Sequence, residues 1–522
     1  MVAQNGLKLA VHIIESSFGD IVAKVCDCLL LKGTLSLQQI IKYTELSRDQ
    51  VSNSLLVLIQ HNCVQAFALE QQGGFGEASK VQTQYTALFD QIIHRMRFPK
   101  FLAIVHEELD QQCSTVFGKL LQHGRLTLSQ ISEKAHGNPA APDFRECLIK
   151  LLHAHYIERC PVGEPFLPLS NEEAPARKRG AKSGKIVEEL ETTEKRALLA
   201  AAPMDALRFS LTANTTTNDE ENRGDGSLSA VGEKRKHDTL ESDKELEVSQ
   251  SEREILWRAN FEEFLRRLRY KACIENVRSR LDDGAAIVLN AILKAAANAD
   301  LKVKADITVP LSLNNIFEEV MKSEMGRTMT IDHVRPALGQ LGCHPGGVTG
   351  DLYSIDLKSI IHLAQNDEVE SAVLKKYGKD AYRIFRLLSK SSRLMESNKI
   401  SDATFVEKKD AAKILFRLWK DNYLHMEKLA VQGSSNVFLL WKTNKPGLWE
   451  HVLDDMYHSA LNLRIRKADE VEKESEILGV AEERLYGKAK EKRVRVEKMK
   501  LLLDSCLMKL DDAIMLFHDF CK

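Results

Sequence analysis

Charge imbalance is nearly absent: 73 Lys and Arg face 74 Asp and Glu across 522 residues, leaving −1. That excludes a wholly basic nucleic-acid binder, so any affinity for phosphate has to come from a local patch. Aromatic residues are few (6%), and Gly (27) and Pro (12) are sparse for this length. An all-β sandwich needs more turns and more ring-bearing strands, so the profile leans towards helix. The ten cysteines are scattered from Cys26 to Cys521, none in a CxxC pair and none spaced with histidine as in a zinc finger. Reduced intracellular thiols are expected rather than a disulfide framework. Long apolar runs are missing as well. Asn290 and Lys294 interrupt the best of them, Ala285 to Ala297, which falls short of the ~20 residues a membrane helix needs. Lys8, His12 and Glu15 break up the N-terminal apolar run, unlike a signal peptide. The chain reads as soluble, cytoplasmic or nuclear, with no membrane association.

Catalytic motifs are missing too. Gly73-Gly74-Phe75-Gly76 lacks the spacing and the following helix of a dinucleotide loop, and no Walker lysine follows a glycine run. His106-Glu107-Glu108 opens like a zincin motif, but Asp110 stands where the second histidine ligand belongs. His153 and His155, and Cys343-His344 in a glycine-rich turn, have no partners at metal spacing. No catalytic residue, metal, cofactor or small-molecule substrate is expected.

What is present is a repeat. Leu35-Ser36-Leu37-Gln38-Gln39-Ile40 recurs as Leu126-Thr127-Leu128-Ser129-Gln130-Ile131 and as Leu311-Ser312-Leu313-Asn314-Asn315-Ile316. The first Leu ends a short extended segment, and the hydroxyl residue caps a helix. Gln39 and Gln130 complete capping boxes with Ser36 and Thr127. The second Leu and the Ile share a buried helical face. An amphipathic helix precedes each copy: Ile21 to Leu31, Cys113 to His123, and Ala285 to Ala297. A second helix follows, in the first unit Ser47 to His61 with Val51, Leu55 and Leu58 as its core stripe. Alternating residues Val64 to Leu69 and Val81 to Leu88 then form a ribbon. Helix, short strand, two helices and a ribbon is the winged-helix order. The second unit ends at Ile157 to Cys160 with a turn at Pro161 to Pro165. The third carries Thr330 to Leu341 and then Cys343 to Ile355. A fourth lacks the six-residue signature but keeps the order, with helices at Ala381 to Leu394, Ile400 to Ala403 and Glu407 to Lys420, and a wing from Tyr423 to Trp441.

About 150 residues per domain allows three to four domains. The expected fold is mainly α with small β-wings: tandem winged helices plus a C-terminal helical hairpin. The expected boundaries are winged helices at 1–90, 91–170, 252–356 and 357–445, a mostly disordered linker at 171–251, and the hairpin at 446–522. The linker is rich in Glu, Lys, Ser, Thr, Asn and Gly, and Thr212 to Gly226 is almost free of large apolar side chains. Glu188 to Leu211 is a possible transient helix within it. Its clusters Arg177-Lys178-Arg179 and Lys234-Arg235-Lys236 suit import signals or phosphate contact. In the hairpin, Leu485, Ala489, Lys492, Val496, Met499, Leu503, Cys506, Leu510, Ala513, Phe517 and Phe520 follow steps of four and three. Leu461, Ile465 and Ala468 offer a matching stripe, and Gly479 to Gly487 is the reversal point.

Nucleic-acid contact needs Lys, Arg, Asn or Gln on a winged helix's third helix. The first unit offers Arg48 beside Asp49, and the second Arg145 and Lys150 offset by Asp143 and Glu146; both suit protein docking better. In the fourth, Lys409, Lys413, Arg417 and Lys420 fall within roughly an 80° sector, opposite Ala411, Ile414, Leu415 and Leu418. Arg266, Arg267, Arg269 and Lys271 form a second candidate patch, and Lys488 to Lys500 a third.

Four winged helices, a linker after the second and a terminal hairpin resemble the third-largest subunit family of eukaryotic RNA polymerase III, itself similar to the alpha subunit of general transcription factor IIE. Ile14-Glu15-Ser16-Ser17-Phe18-Gly19-Asp20-Ile21-Val22 through Leu31-Lys32-Gly33 is similar to that family's opening helix. Asp410-Ala411-Ala412-Lys413-Ile414-Leu415 with Phe438-Leu439-Leu440-Trp441 is similar to its fourth winged helix. The resemblance implies a nuclear, non-catalytic subunit that sits on the polymerase clamp with two other polymerase III-specific subunits. It implies help in promoter opening, recruitment of the polymerase III initiation factor, and nonspecific contact with single- or double-stranded DNA, for synthesis of small RNAs such as 5S rRNA and tRNAs. Two alternatives stand beside it. A free-standing winged-helix regulator needs only one or two such units. A scaffold of the proteasome-lid or translation-initiation type places helical repeats before a single terminal winged helix.

Overall fold

The computed structural model describes residues 4–71, 80–134, 142–167, 192–211, 255–297, 305–343, 352–391, 393–430, 437–443, 445–480 and 486–520. They fall into two compact units, Ala10–Phe264 and Met1–Leu9 with Leu265–Lys522. Among the described residues, no helix is long and apolar enough to cross a membrane.

The chain opens with α1 (Gln4–Phe18) and α2 (Asp20–Lys32), then β1 (Leu35–Ser36), α3 (Leu37–Thr44), α4 (Arg48–Gln60) and the wing strands β2 (Val64–Gln71) and β3 (Lys80–Ala87). Two capping boxes form here: Ser36 N–H donates to Gln39 Oε1 at 2.9 Å, and at the start of α4 Gln50 N–H donates to Ser47 Oγ at 3.3 Å. With their ends fixed, α2 and α4 bury Val25, Cys26, Leu29, Val51, Leu55 and Leu58 against one another. Truncating one such leucine to alanine costs about 2–5 kcal/mol. β1 joins the wing with Leu35 opposite Tyr85, which completes the winged helix. The glycine-rich wing tip lies outside the described residues.

The second winged helix has α5 (Phe89–His94), α6 (Phe98–Glu108), α7 (Gln111–His123), β4 (Leu126–Thr127), α8 (Leu128–Lys134), α9 (Pro142–His153) and β5 (Ile157–Arg159). The repeated cap recurs, Thr127 N–H donating to Gln130 Oε1 at 3.1 Å. Gly124, at φ 78°, lies against α4, where an added Cβ would come within 2.1 Å of the Gln60 carbonyl oxygen. That carbonyl accepts the Arg125 N–H at 2.9 Å, so the first winged helix is bonded directly to the second. No larger residue fits there.

The second wing departs from expectation. After the Pro161 to Pro165 turn, β6 (Phe166–Leu167) pairs in parallel with β2 instead of returning beside β5. The partner of β5 is β7 (Leu256–Ala259), which also pairs with β4. The expected start of the third winged helix at 252 is therefore corrected, because Leu256–Ala259 completes the second. Trp257 is the physical reason: fully buried in that sheet, it fills a core that the 161–165 turn has no large side chain to fill.

The expected linker, 171–251, is folded in part. Residues 192–211 form α10 (Thr193–Ala201) and α11 (Asp205–Arg208), while 171–191 and 212–251 lie outside the described residues. Ala197 packs with Phe67 and Leu167, and the Ala201 carbonyl accepts the Val162 N–H at 2.8 Å. Small side chains let α10 sit close to the wing. The helix is packed against the wing, where a possible transient helix is expected from the sequence.

The unit that starts at Leu265 takes up α12 (Phe261–Arg280) from that residue on, then α13 (Asp283–Ala297), β8 (Leu311–Ser312), α14 (Leu313–Lys322), α15 (Ile331–Gln340) and β9 (Leu352–Tyr353), the third winged helix. Asn315 N–H donates to Ser312 Oγ at 3.2 Å, the third copy of the cap. The fourth is built from α16 (Leu357–Tyr377), α17 (Lys379–Ser391), β10 (Met395–Glu396), α18 (Ser397–Thr404), α19 (Lys408–Lys420), β11 (His425–Ala430) and β12 (Val437–Lys442). Its strand order is β10-β12-β11. Met395-Glu396 replaces the repeated Leu-hydroxyl pair, and Glu396 makes no side-chain cap bond, yet Ile400 remains fully buried at the expected offset.

The terminal helices are α20 (Lys445–Lys473), α21 (Ser475–Leu478) and α22 (Lys488–His518). Lys467 Nζ bonds Asp504 Oδ1 at 2.5 Å across α20 and α22. The seam shifts beyond Leu503: Leu507, Asp511, Ile514 and His518 are buried, whereas Cys506 is exposed. A straight helix drifts by ~20° per heptad, and here the end of α22 also turns into the third winged-helix core, which Met515 and Phe520 join. On α20 Leu448, Val452, Met456, Tyr457 and Ala460 are buried, while Ile465 and Ala468 face solvent. At the other end, Asn5 holds Asp454 through its backbone N–H and side-chain amide, each at 2.8 Å.

Candidate nucleic-acid interface

α19 is fixed from beneath. Ala411, Leu415 and Leu418 are buried with Ile384, Phe385 and Leu388 of α17 and with Trp441 of β12. Trp441 Nε1 donates to Ser397 Oγ at 2.8 Å, which ties the wing to the start of α18. Behind the C-terminal end of α19, Tyr377 hydrogen-bonds Asp421, and burial is the main cause that raises its phenol pKa. Burial likewise pushes Tyr423 up to about 12, with Asp455 and Asp421 adding to it. Both rings stay neutral at physiological pH.

The outer face of α19 is cationic. Lys409, Lys413, Arg417 and Lys420 are all exposed, on the side opposite the buried stripe, where the spacing predicts them. Lys413 pairs with Asp410 at 3.1 Å, a surface bridge worth at most ~1 kcal/mol. The Arg417 guanidinium lies 5.1 Å from the Tyr377 ring centroid, which orients its planar fork. Lys409 and Lys420 have no carboxylate partner among the described residues. Such a face binds anions by Coulomb attraction without selecting among bases.

Three aromatic side chains on this surface escape a search for charge alone. Phe416 is exposed at the edge of the cationic sector, edge-on to Trp419 at 6.3 Å and to Trp441 at 5.5 Å. Trp419 is also exposed, as is Phe405 in the turn before α19. A helical wheel carries the signal, since Phe416 falls about 20° from Lys409 at ~100° per residue.

The other patches fare differently. Arg269 is only 3% exposed. It donates to the Ala305 carbonyl at 3.0 Å and lies 3.9 Å from Asp306. It is withdrawn from the candidate surface, because the guanidinium is used inside the fold. Arg266 and Arg267 are half-buried on the same helix, and of that group Lys271 is exposed. On α22, Lys488, Lys490, Lys492, Arg495 and Lys498 face solvent, while Arg493 is held by Glu497 at 3.0 Å. Arg48 on α4 and Arg145 on α9 are exposed, and Lys150 is neutralised by Glu146 at 2.8 Å and Asp110 at 3.4 Å.

Asp110, Cys113 and Cys147 bring potential ligand atoms within 4.8 Å of one another. They do not suit a cation. Asp110 caps α7 by accepting the Cys113 N–H at 2.6 Å and also holds Lys150, and burial raises both thiols so that they stay protonated.

Residues 8–69 match the family model for the RNA polymerase III subunit RPC82 helix-turn-helix domain, and residues 146–402 that for RNA polymerase III subunit RPC82. Residues 369–441 match the C-terminal winged-helix domain of POLR3C. DNA-directed RNA polymerase III subunit RPC3 of Homo sapiens is 23% identical over 504 residues, covering 91% of this chain and 86% of that protein. The Danio rerio subunit is 23% identical over 499 residues, covering 92% and 86%. The Dictyostelium discoideum subunit is 20% identical over 617 residues, covering 90% and 92%. The matched segments overlap all four winged helices, and the relatives span about nine-tenths of the chain. The chain belongs to this family of RNA polymerase III subunits.

Proposed function

We propose that the chain serves RNA polymerase III as a non-catalytic subunit of transcription initiation, in the nucleus, with the outer face of α19 tracking the DNA backbone during promoter opening. The observation that carries the DNA contact is the set of four exposed cations, Lys409, Lys413, Arg417 and Lys420, on one side of a rigidly supported helix. Lysine acts here as a point charge, so the contact is nonspecific and serves both duplex and single-stranded DNA. The near-neutral third helices of the first two winged helices suit docking to other subunits. These partners include the two other polymerase III-specific initiation subunits, together with the polymerase III initiation factor. The products served are small RNAs such as 5S rRNA and tRNAs.

Purification of the tagged chain from native extract is the first test. Polymerase III subunits at stoichiometric levels support the proposal; proteasome-lid subunits or a lone homodimer contradict it. Polymerase depleted of this chain should still extend RNA on a preassembled RNA–DNA scaffold and fail on promoter DNA. Equal loss in both assays would contradict a role in initiation.

A further inference from the structure

Phe405, in the turn between α18 and α19, is 93% exposed and adopts a left-handed conformation, φ 56°, ψ 35°. A bulky L-residue there is unusual and strained by ~1 kcal/mol or more. The surroundings enforce it. Phe405 N–H donates to the Ser401 carbonyl, Ser401 Oγ donates to the Val406 carbonyl at 2.6 Å, and Thr404 Oγ1 donates to the Ile400 carbonyl at 2.7 Å. The next residue, Val406, is buried.

The first winged helix makes the same turn with a different residue. Between α3 and α4, Glu45 has φ 57°, ψ 24° and donates its N–H to the Ile41 carbonyl at 3.0 Å. The backbone therefore does not call for an aromatic side chain; a water-facing carboxylate serves. Phe405 adds an exposed ring at a position where folding gains nothing from one.

Lys408 and Lys409 follow after Val406 and Glu407, both lysines exposed, and α19 carries five cations (Lys408, Lys409, Lys413, Arg417, Lys420) against Asp410 and the N-cap carboxylate of Glu407. Phe416 sits among them. A protein partner that buried these rings would strip water from the cations, at high cost unless it supplied anions at matching spacing. A nucleic acid supplies them, with one charge per ~1.7 Å of duplex and apolar base faces between.

We propose that Phe405 is an apolar wedge that enters a base step of DNA, with Lys408 and Lys409 on the flanking phosphates. The inference rests on the reading of α19 as a backbone-tracking face. Apolar wedges partly unstack the step they enter, so steps that unstack readily, TA steps and mismatches, are favoured.

The test titrates the full chain with a duplex carrying 2-aminopurine at a central TA step, and with the same duplex bearing a central mismatch. The wild-type chain should raise 2-aminopurine emission at saturation and bind the mismatched duplex roughly tenfold more tightly. Phe405→Asn suits the left-handed turn, so it should keep the fold and the salt dependence of binding while losing both effects. An unchanged emission rise in that variant overturns the wedge, as does a missing rise in a wild-type chain whose binding still depends on Lys409, Lys413 and Arg417. Binding that does not depend on those three cations defeats the backbone-tracking reading, and the wedge with it. A Phe405→Asn chain that handles both duplexes like wild type but no longer co-purifies with polymerase subunits also overturns the wedge, making Phe405 a protein anchor.

Discussion

Arg208 donates its Nε–H to Glu158 Oε2 at 2.5 Å, joining a short helix of the expected linker to a carboxylate buried in the second wing. Glu158 is 2% exposed, and Arg258 holds its other oxygen at 2.8 Å. A buried carboxylate that loses one of two guanidinium partners is left underpaired. Arg208→Ala should lower the unfolding free energy of the Ala10–Phe264 unit by about 2 kcal/mol. Urea denaturation followed by circular dichroism reads this as a lower midpoint. An unchanged midpoint would mean that α11 contributes nothing to the fold.

The register of the terminal hairpin gives a paired prediction. Leu507 faces the seam and Cys506 faces solvent. Leu507→Asp buries an unpaired charge and should destabilise by ~3 kcal/mol or more, whereas Cys506→Asp should stay within about 0.5 kcal/mol. Since α20 supplies the partner from the same chain, sedimentation of the wild-type protein should give a monomer. Equal damage from both substitutions, or a stable dimer that Leu507→Asp dissociates, would contradict this packing.

His61 offers a pH test. Its ring packs against Phe18 at 4.6 Å, and burial lowers its pKa from 6.5 to about 4, with Arg95 and His123 adding to the effect. Between those values the unfolded chain binds a proton that the folded chain does not. Stability is therefore fully present above pH ~6.5 and declines as the pH falls towards ~4, with a slope approaching one proton. Replacing the ring by His61→Gln should flatten the pH dependence of the urea midpoint in that window. A curve that keeps its wild-type slope would show that His61 is not the group responsible.

The sequence made the winged helices legible because each short second helix announces itself locally. Ser36, Thr127 and Ser312 cap helices that begin one residue later, and a cap needs no knowledge of the remainder of the fold. The fourth unit, with Glu396 in place of the hydroxyl, remained readable through element order and through Ile400. The second wing was not readable in the same way. β5 and β7 lie about a hundred residues apart in the chain, and nothing in Ile157-Glu158-Arg159 specifies so distant a partner. Composition also concealed α10, since Ala197 gains its burial against Phe67 and Leu167, far away in the chain. At the interface, charge periodicity located Lys409, Lys413, Arg417 and Lys420 but misjudged Arg269, because a run of arginines looks the same whether it faces water or a backbone carbonyl. Phe405 was invisible for a further reason: exposure of an aromatic side chain is a property of the folded turn.

The most direct test of the account is the salt dependence of DNA binding by the full chain, compared between wild type and a Lys409→Glu, Lys413→Glu, Arg417→Glu triple variant that circular dichroism shows to be folded. If the face tracks a phosphate backbone, each lost contact removes a released counterion. The slope of log affinity against log salt should then flatten by about 0.9 per contact on duplex DNA and about 0.7 on single strands. The loss should be uniform across sequences. An unchanged slope and affinity in the triple variant would contradict the account and leave the stripe as a solvated face or a docking surface for another subunit.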